Sequence, residues 1–582
     1  MKIYTYDCVV VGTGAAGYNA ANRLKQFGKN VAIVTEGIHC GTSRNTGSDK
    51  QTYYKLGLGG DAQDSVRNMA EDLFRGGCMD GDNALCEAAL STRCFLNLCE
   101  LGVPFPTNRY GEYVGYKTDH DPYARATSAG PLTSKFMTEA LERQAKALDI
   151  PVFDGYYAVE ILKWDNKVCG LLCLQEGQQV AFRTSYIVLA TGGPAGIYAD
   201  VVYPVGHTGS TGLALRAGAL GQNLSLWQYG LASVAPRWNV SGTYMQVLPR
   251  FVSVDPDGTE HEFLLEHYGD PYLALSMVFL KGYQWPFDPK KAEKGSSVID
   301  LLVHAEQTKK HRRVYLDFTR NPFGIEKIDF QRLSPEAYTY LEKADACFGT
   351  PIERLNKMNT PAIALYRSKG VDIAKEYLEI ALCAQHCNGG IAVDLWWQTD
   401  VPGLFCVGEC AGTHGIARPG GSALNAGQVG ALRAAQYISR QNTAPIEEKV
   451  FLQSLQSVSF CDTMDMDAGA ALHGARRRMS DCAGAVRDYE KIRQTHFQTR
   501  QALSKLHCTT DITYLRLRDT LVTQLAVLTD LLQGEPDPTA VRQICINGNS
   551  CTCTERPVRP LPQSEDVFET VWRGFRDNAN IY

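Results

Sequence analysis

No Cys-x-x-Cys pair occurs among the 19 cysteines, which removes the ligand spacing of zinc ribbons and of common iron–sulfur sites. No uninterrupted apolar run approaches the roughly 18 residues of a membrane span. Charged residues make up an ordinary 21% of the chain and are nearly balanced: 58 Lys and Arg against 63 Asp and Glu, a formal net charge of -5. That balance gives no reason to expect nucleic-acid binding. The first apolar run begins within ten residues of the start, leaving no room for a secretory leader, so a cytoplasmic protein without direct membrane insertion is expected. The scattered cysteines read as small buried hydrophobes in a reducing compartment. Only Cys551-Thr-Cys553, with Cys545 nearby, forms a cluster with redox or metal potential.

What is present begins at Tyr6. The run Cys8-Val9-Val10-Val11 has the pattern of a buried parallel strand and breaks into Gly-x-Gly-x-x-Gly at Gly12, Gly14 and Gly17. A helix-like stretch over 18–27 and a second apolar strand over 31–34 follow, and Glu36 lies 19 residues beyond Gly17. Strand, glycine turn, helix, strand and acid make the dinucleotide-binding fingerprint. Gly12 permits the tight turn, Gly14 lets backbone approach a pyrophosphate, and Gly17 lets the helix pack on the sheet. The free amides of the helix start attract phosphate, and Glu36 suits a ribose hydroxyl pair. The fingerprint alone does not separate NAD from FAD.

At 582 residues the chain is long enough for roughly two to four domains. A polar glycine-bearing loop over 40–60 carries Thr42, Ser43, Thr46 and Gly47, and in such a fold it faces the cofactor. Helical spacing over 61–102 and 132–148, then strand signals at 152–153, 157–162, 168–174 and 178–182, lead to the buried strand Tyr186-Ile-Val-Leu-Ala-Thr-Gly-Gly193. Residues 233–360 change composition, with frequent aromatics and prolines, and read as an inserted domain. The segment Lys281-Gly-Tyr-Gln-Trp-Pro-Phe287 within it is a candidate pocket wall. Nucleotide-fold style returns at Gly403-Leu-Phe-Cys-Val-Gly-Glu-Cys410, followed by a glycine-rich loop and an alanine-rich helix over 426–438. Helices follow over 473–486, 491–505 and 514–532, and the proline-bearing tail past Gly534 reads as extended or loosely packed.

The opening fingerprint, Leu189-Ala-Thr-Gly-Gly193 and Gly403–Glu409 together resemble the two-dinucleotide-binding-domain flavoproteins. More narrowly they are similar to the family of succinate dehydrogenase and fumarate reductase flavoprotein subunits, L-aspartate oxidase and adenylylsulfate reductase. Gly209-Ser-Thr-Gly-Leu-Ala-Leu-Arg-Ala-Gly-Ala219, Thr413-His-Gly-Ile-Ala-Arg-Pro-Gly-Gly-Ser-Ala-Leu424 and Met479-Ser-Asp-Cys-Ala-Gly-Ala-Val-Arg487 resemble three further family segments. The likeness covers about 1–230 and 362–530. It implies an α/β, Rossmann-like FAD fold with an inserted α+β capping domain and a C-terminal helical domain. The expected division is 1–232 and 362–443 for the FAD domain, 233–361 for the cap, and 444–582 for the helical domain and tail.

Carried over, the resemblance places Gly12, Gly14, Ala15, Ala16 and Gly17 on the pyrophosphate, Glu36 on the adenosine ribose and Ala158 on adenine. Ala190, Thr191 and Gly192 line the nucleotide, and Glu409 holds the ribityl chain. Ser422, Ala423 and Leu424 offer amides to the flavin's pyrimidine edge. The departures are also informative. Thr211 replaces an adenine-side Asp, and the loop over 42–48 has no histidine, so non-covalent FAD is expected. Gln228-Tyr-Gly-Leu-Ala232 lacks the family's His and Thr, Gln385 stands where the family has a histidine, and the cap lacks the family's proton-donating arginine segment. Arg418 alone clearly survives among the family's dicarboxylate-handling residues. Candidates for catalysis are Arg418, His414, His386, Gln385 and Tyr229, with Arg237 and Arg250 as further cations.

The reading is therefore an FAD-dependent oxidoreductase acting on a small, carboxylate-bearing molecule by hydride exchange at flavin N5. Its electrons pass to a partner protein, a soluble reductant or oxygen. An electron-transfer subunit or redox-responsive binding protein without small-molecule turnover is the alternative, and an NAD-linked dehydrogenase the third.

Overall fold

In the computed structural model the residues described are 1–59, 63–118, 121–207, 209–441, 446–461, 466–563, 566 and 568–572. The expected boundary at 443/444 and the last ten residues of the tail lie outside them.

The molecule is organised around a five-stranded parallel sheet in the order Leu404–Cys406, Tyr186–Leu189, Cys8–Val11, Val31–Thr35, Val152–Asp154. Its register pairs Val10 with Val188 on one side and with Ile33 on the other. Every residue of Cys8–Val11 and Val31–Thr35 is buried, which is why these strands are continuous apolar runs rather than alternating ones. Helix Ala15–Gln26 packs on one face between helices Thr133–Ala147 and Ser422–Arg440. An antiparallel meander, Tyr157–Trp164, Lys167–Gln175 and Gln178–Arg183, with Lys2–Thr5 added parallel at its edge, packs against the sheet from a second side.

The cap has its own six-stranded antiparallel sheet, which takes in Trp227–Ser233 and Leu378–Cys387. The sheet thus reaches beyond 233–361 on either side. Its core is separate and includes Leu231, Tyr244, Phe251, Ile299, Leu316 and Tyr366. Helices Ala468–Cys482, Tyr489–Leu503 and Ile512–Leu531 form the C-terminal layer.

The tail is not loosely packed. Ala540–Asn547 and Ser550–Pro557 form a hairpin that joins Gly221–Gln222 and Gly390–Ile391 in a further sheet. Alternation hid it: Val541, Ile544 and Ile546 are buried while the partner strand is mostly exposed and polar. The hairpin also divides the cysteine cluster. Cys551 and Cys553 stand opposite Ile546 and Ile544, whereas Cys545 pairs with Thr552 and so lies on the other face. Among the described residues no group of His, Cys, Asp and Glu side chains is arranged to hold a metal ion, and no helix is long and apolar enough to cross a membrane.

Candidate functional site

Gly12 follows the central strand with φ of +111°, and a Cβ there would lie 2.5 Å from the Ala190 carbonyl oxygen. A Cβ on Gly17 would lie 2.1 Å from the Gly12 oxygen, so the turn and the helix touch backbone to backbone. Helix Ala15–Gln26 starts without a side-chain cap or an acid in its first turn, and helix Ser422–Arg440 starts in the same way behind Gly421, at φ of +89°. Both starts open onto one cavity of 710 Å³. Two helix N-termini without carboxylates therefore converge on it, the arrangement that receives anionic or electron-rich ligand groups.

The nucleotide side of this cavity carries Gly12, Gly14, Ala15, Ala16, Thr42, Ser43, Thr46 and Gly47, with Ala190, Thr191 and Gly192 beside them. The Ala15 amide donates to Ser43 Oγ at 3.3 Å. Glu36 and Ala158 also line the cavity, and Arg516 holds the Glu36 carboxylate at 2.6 Å. Three expected residues sit just behind the wall. Gly17 packs on Gly12, Thr211 is buried at the start of helix Thr211–Arg216, and Ser422 is buried under Arg418.

The inner end is built from side chains. Arg418 lines the cavity and donates from Nη2 to Gln228 Oε1 at 2.7 Å, from Nε to Asn388 Oδ1 at 3.2 Å and from Nη1 to Ser422 Oγ at 3.4 Å. Among the described residues no carboxylate lies within ion-pair distance of it. Burial lowers its pKa to about 10, which leaves it charged at neutral pH. Glu409, Ala423 and Leu424 line the same end. The Tyr203 hydroxyl donates to Glu409 Oε1, as does the Cys387 amide at 2.9 Å, and burial raises this carboxyl to about 7.

Asn388 settles the state of His386. Its Nδ2 donates to the Gly415 carbonyl at 2.8 Å, so its Oδ1 faces Arg418 Nε and His386 Nδ1, the latter at 3.1 Å. His386 Nδ1 then carries the proton and Nε2 is left as an acceptor. Burial, the Arg418 charge and His414 hold this histidine well below its usual range, hence neutral. His414 is 3% exposed, stands 5.4 Å from the His386 ring and does not line the cavity. Gln385 lines it at 8% exposed, with neither amide atom partnered among the described residues.

Tyr229 lies elsewhere. Strand alternation gives Gln228 to the cavity and turns Tyr229 toward a second cleft of 720 Å³ between cap and C-terminal helices. Its hydroxyl lies 3.2 Å from that of Tyr198 and 3.3 Å from the Ala483 carbonyl. The cap segment does contribute Tyr283, Trp285 and Pro286 to the main cavity, while Lys281 is fully buried against Asp300 at 2.6 Å. Arg237 donates to the Tyr203 carbonyl, and Arg250 is paired with Glu260 and Glu262.

Compared with known proteins, the sequence matches the FAD binding domain family over residues 7–424. The chain belongs to that family. This flavoprotein is 25% identical over 444 residues to one subunit of the fumarate reductase (CoM/CoB) of Methanothermobacter marburgensis, covering 74% of this chain and 72% of the relative. It is 25% identical over 533 residues to L-aspartate oxidase of Pseudomonas aeruginosa, covering 86% and 87%. The structure of an E. coli quinol fumarate reductase chain superposes with a TM-score of 0.71 at 19% identity, covering 97% of this chain and 99% of the other. The protein is thus an FAD-dependent oxidoreductase of the fumarate reductase-like group, with FAD as its cofactor.

The cavity suits that cofactor on its own geometry. Gly12 and Gly421, at positive φ and packed too closely on Ala190 and Thr52 to carry a Cβ, bring the backbone to the cavity edge, and the two cap-free helix starts beside them supply donors for phosphate and ring oxygens. Several residues in or behind the wall carried no sequence signal. His207, 2.6 Å from the Thr42 hydroxyl and neutral with a pKa lowered to about 4 by burial, is one, and behind the wall Asn388 holds His386 and Tyr203 holds Glu409. Glu87, fully buried behind Thr413 and pushed up to about 8 by burial, looks in sequence like any helix-surface acid.

Proposed function

We propose that the flavoprotein exchanges a hydride equivalent and a proton with a small organic acid, at a carbon–carbon bond beside the carboxylate. The observation carrying this reading is Arg418: a charged guanidinium on the cavity wall, clamped by three neutral oxygens and left without a carboxylate of its own among the described residues. Such a cation is preorganised for a ligand carboxylate, because its orientation is fixed before the ligand arrives. Two relatives bear the names of small carboxylic acids, fumarate and L-aspartate, which supports the same class.

In this reading FAD, bound non-covalently, supplies hydride exchange at N5. Gly12, Gly14, Ala15, Ala16 and Ser43 hold the pyrophosphate, Glu36 the adenosine ribose, Glu409 the ribityl hydroxyls, and the amides at Ser422, Ala423 and Leu424 the pyrimidine edge. Arg418 holds the substrate carboxylate and withdraws charge from the adjacent carbon. In the direction of oxidation His386 Nε2 accepts the proton released beside the carboxylate, in the direction of reduction the same nitrogen takes up a proton from solvent and delivers it to the carbon, and Gln385 orients the remainder of the molecule.

A second reading, an electron-transfer flavoprotein without small-molecule turnover, is favoured by two observations. His386 and His414 are both neutral in the fold, and Tyr229 faces another cleft. Stopped-flow mixing of dithionite-reduced holoprotein with a panel of unsaturated acids separates the two. Rapid reoxidation by at least one acid is expected. Reoxidation by none, alongside fast reoxidation by a redox protein, would transfer the assignment to the second reading.

A further inference from the structure

Among the described residues the inner end of the cavity holds one cation, the Glu409 carboxyl that burial raises to about 7, and several neutral hydrogen-bonding groups. Arg418 is the cation. The other cations named from the sequence are spent elsewhere: Lys281 on Asp300, Arg250 on Glu260 and Glu262, and Arg237 on a backbone carbonyl. Lys50 and Lys117 reach only the exposed rim. Facing Arg418 across the same space are uncharged groups with no hydrogen-bond partner among the described residues: both amide atoms of Gln385, the indole Nε1 of Trp285 and Nε2 of His386. Gln385 and Trp285 stand together, since a Cβ built on Gly230 would lie 2.8 Å from Gln385 Nε2 and 2.8 Å from Trp285 Nε1. Gln385 is 8% exposed and His386 9% exposed, so each is desolvated without full compensation from the chain. Aromatic faces from Tyr283, Trp285 and Tyr340 complete the wall from the cap side.

A second carboxylate placed among these groups would lose its hydration and gain no cation, an unfavourable exchange in a buried site. A planar uncharged group with both a donor and an acceptor would satisfy the Gln385 amide and the indole N–H and lie flat on the aromatic wall. We infer that the substrate is an unsaturated monocarboxylate whose far end is a planar, uncharged, hydrogen-bonding group such as a carboxamide or phenol, and not a dicarboxylate. This rests on the carboxylate-directed reading above and narrows it.

The test uses fumarate and its monoamide, which share shape and differ by one charge. Isothermal titration of the oxidised holoprotein measures binding without turnover. The monoamide is expected to bind at least tenfold more tightly, and the variant Trp285→Phe to weaken the monoamide several-fold while leaving fumarate nearly unchanged. Equal or tighter binding of fumarate would overturn the inference. Trp285→Phe protein that binds both acids as wild type does would remove the indole from the argument and overturn the donor-pair basis of it. Reoxidation of the reduced protein, run on both acids and on 4-hydroxycinnamate, keeps the two claims apart. Reoxidation by fumarate alone sinks the monocarboxylate inference and spares the carboxylate-directed reading. No binding and no reoxidation by any of the three sinks both.

Discussion

The two ends of the cavity solve their electrostatics differently. The nucleotide end uses backbone: glycine turns at Gly12 and Gly421, and two helix starts without side-chain caps or acids in their first turns. The inner end uses side chains: a single guanidinium held by Gln228, Asn388 and Ser422, neighbours that come from three separate stretches of chain. A backbone-built site tolerates side-chain change but no added Cβ. A side-chain-built site responds in the opposite way.

The largest expected effect comes from breaking the backbone end. Gly12→Val combines a positive φ with a Cβ 2.5 Å from a carbonyl oxygen, a cost on the order of 4 kcal/mol or more. Purified variant should carry no flavin absorbance, and retention of stoichiometric FAD would show that the cradle is not set by backbone contact. A smaller effect sharpens the inner end. Burial raises the Glu87 carboxyl to about 8, so the folded state favours the protonated acid. Its stabilising contribution is complete below the unfolded value of about 4.3 and is lost as pH rises through about 8. Wild-type holoprotein should therefore lose roughly 3 kcal/mol between about pH 5 and about pH 7 that Glu87→Gln does not lose, read from thermal midpoints. Parallel curves for the two proteins would mean that this acid is ionised beside Arg418. The smallest effect tests how little side chains matter in the cradle. Ser43→Ala removes one hydrogen bond to the Ala15 amide, about 1 kcal/mol, and should weaken FAD roughly fivefold by fluorescence titration.

The same contrast decides what the sequence discloses. Backbone sites leave contiguous signatures, because a turn, a helix start and a strand are local; Gly12 to Glu36 and Gly403 to Leu424 could be read directly. The meander and the C-terminal helices were equally plain from their periodicity. The hairpin over 540–557 was not, because its polar second strand lacks an apolar rhythm. Nor could sequence order assign Asn388 its part in fixing the His386 proton, since that depends on a carbonyl at Gly415 brought back by a loop. Tyr229 shows the limit of placing a residue by its neighbours. One step along a strand from Gln228, it faces a different cleft.

The central claim is that the cofactor end is independent of Arg418 while substrate chemistry depends on it. Arg418→Ala holoprotein, reduced by dithionite and mixed with the best acid from the panel, tests both halves in one stopped-flow trace. The variant should keep full FAD content with a nearly unchanged flavin spectrum, and its reoxidation should slow by about 10³-fold, the effect of removing one preorganised donor of this kind. Reoxidation at the wild-type rate, or loss of FAD from the variant, would contradict the claim.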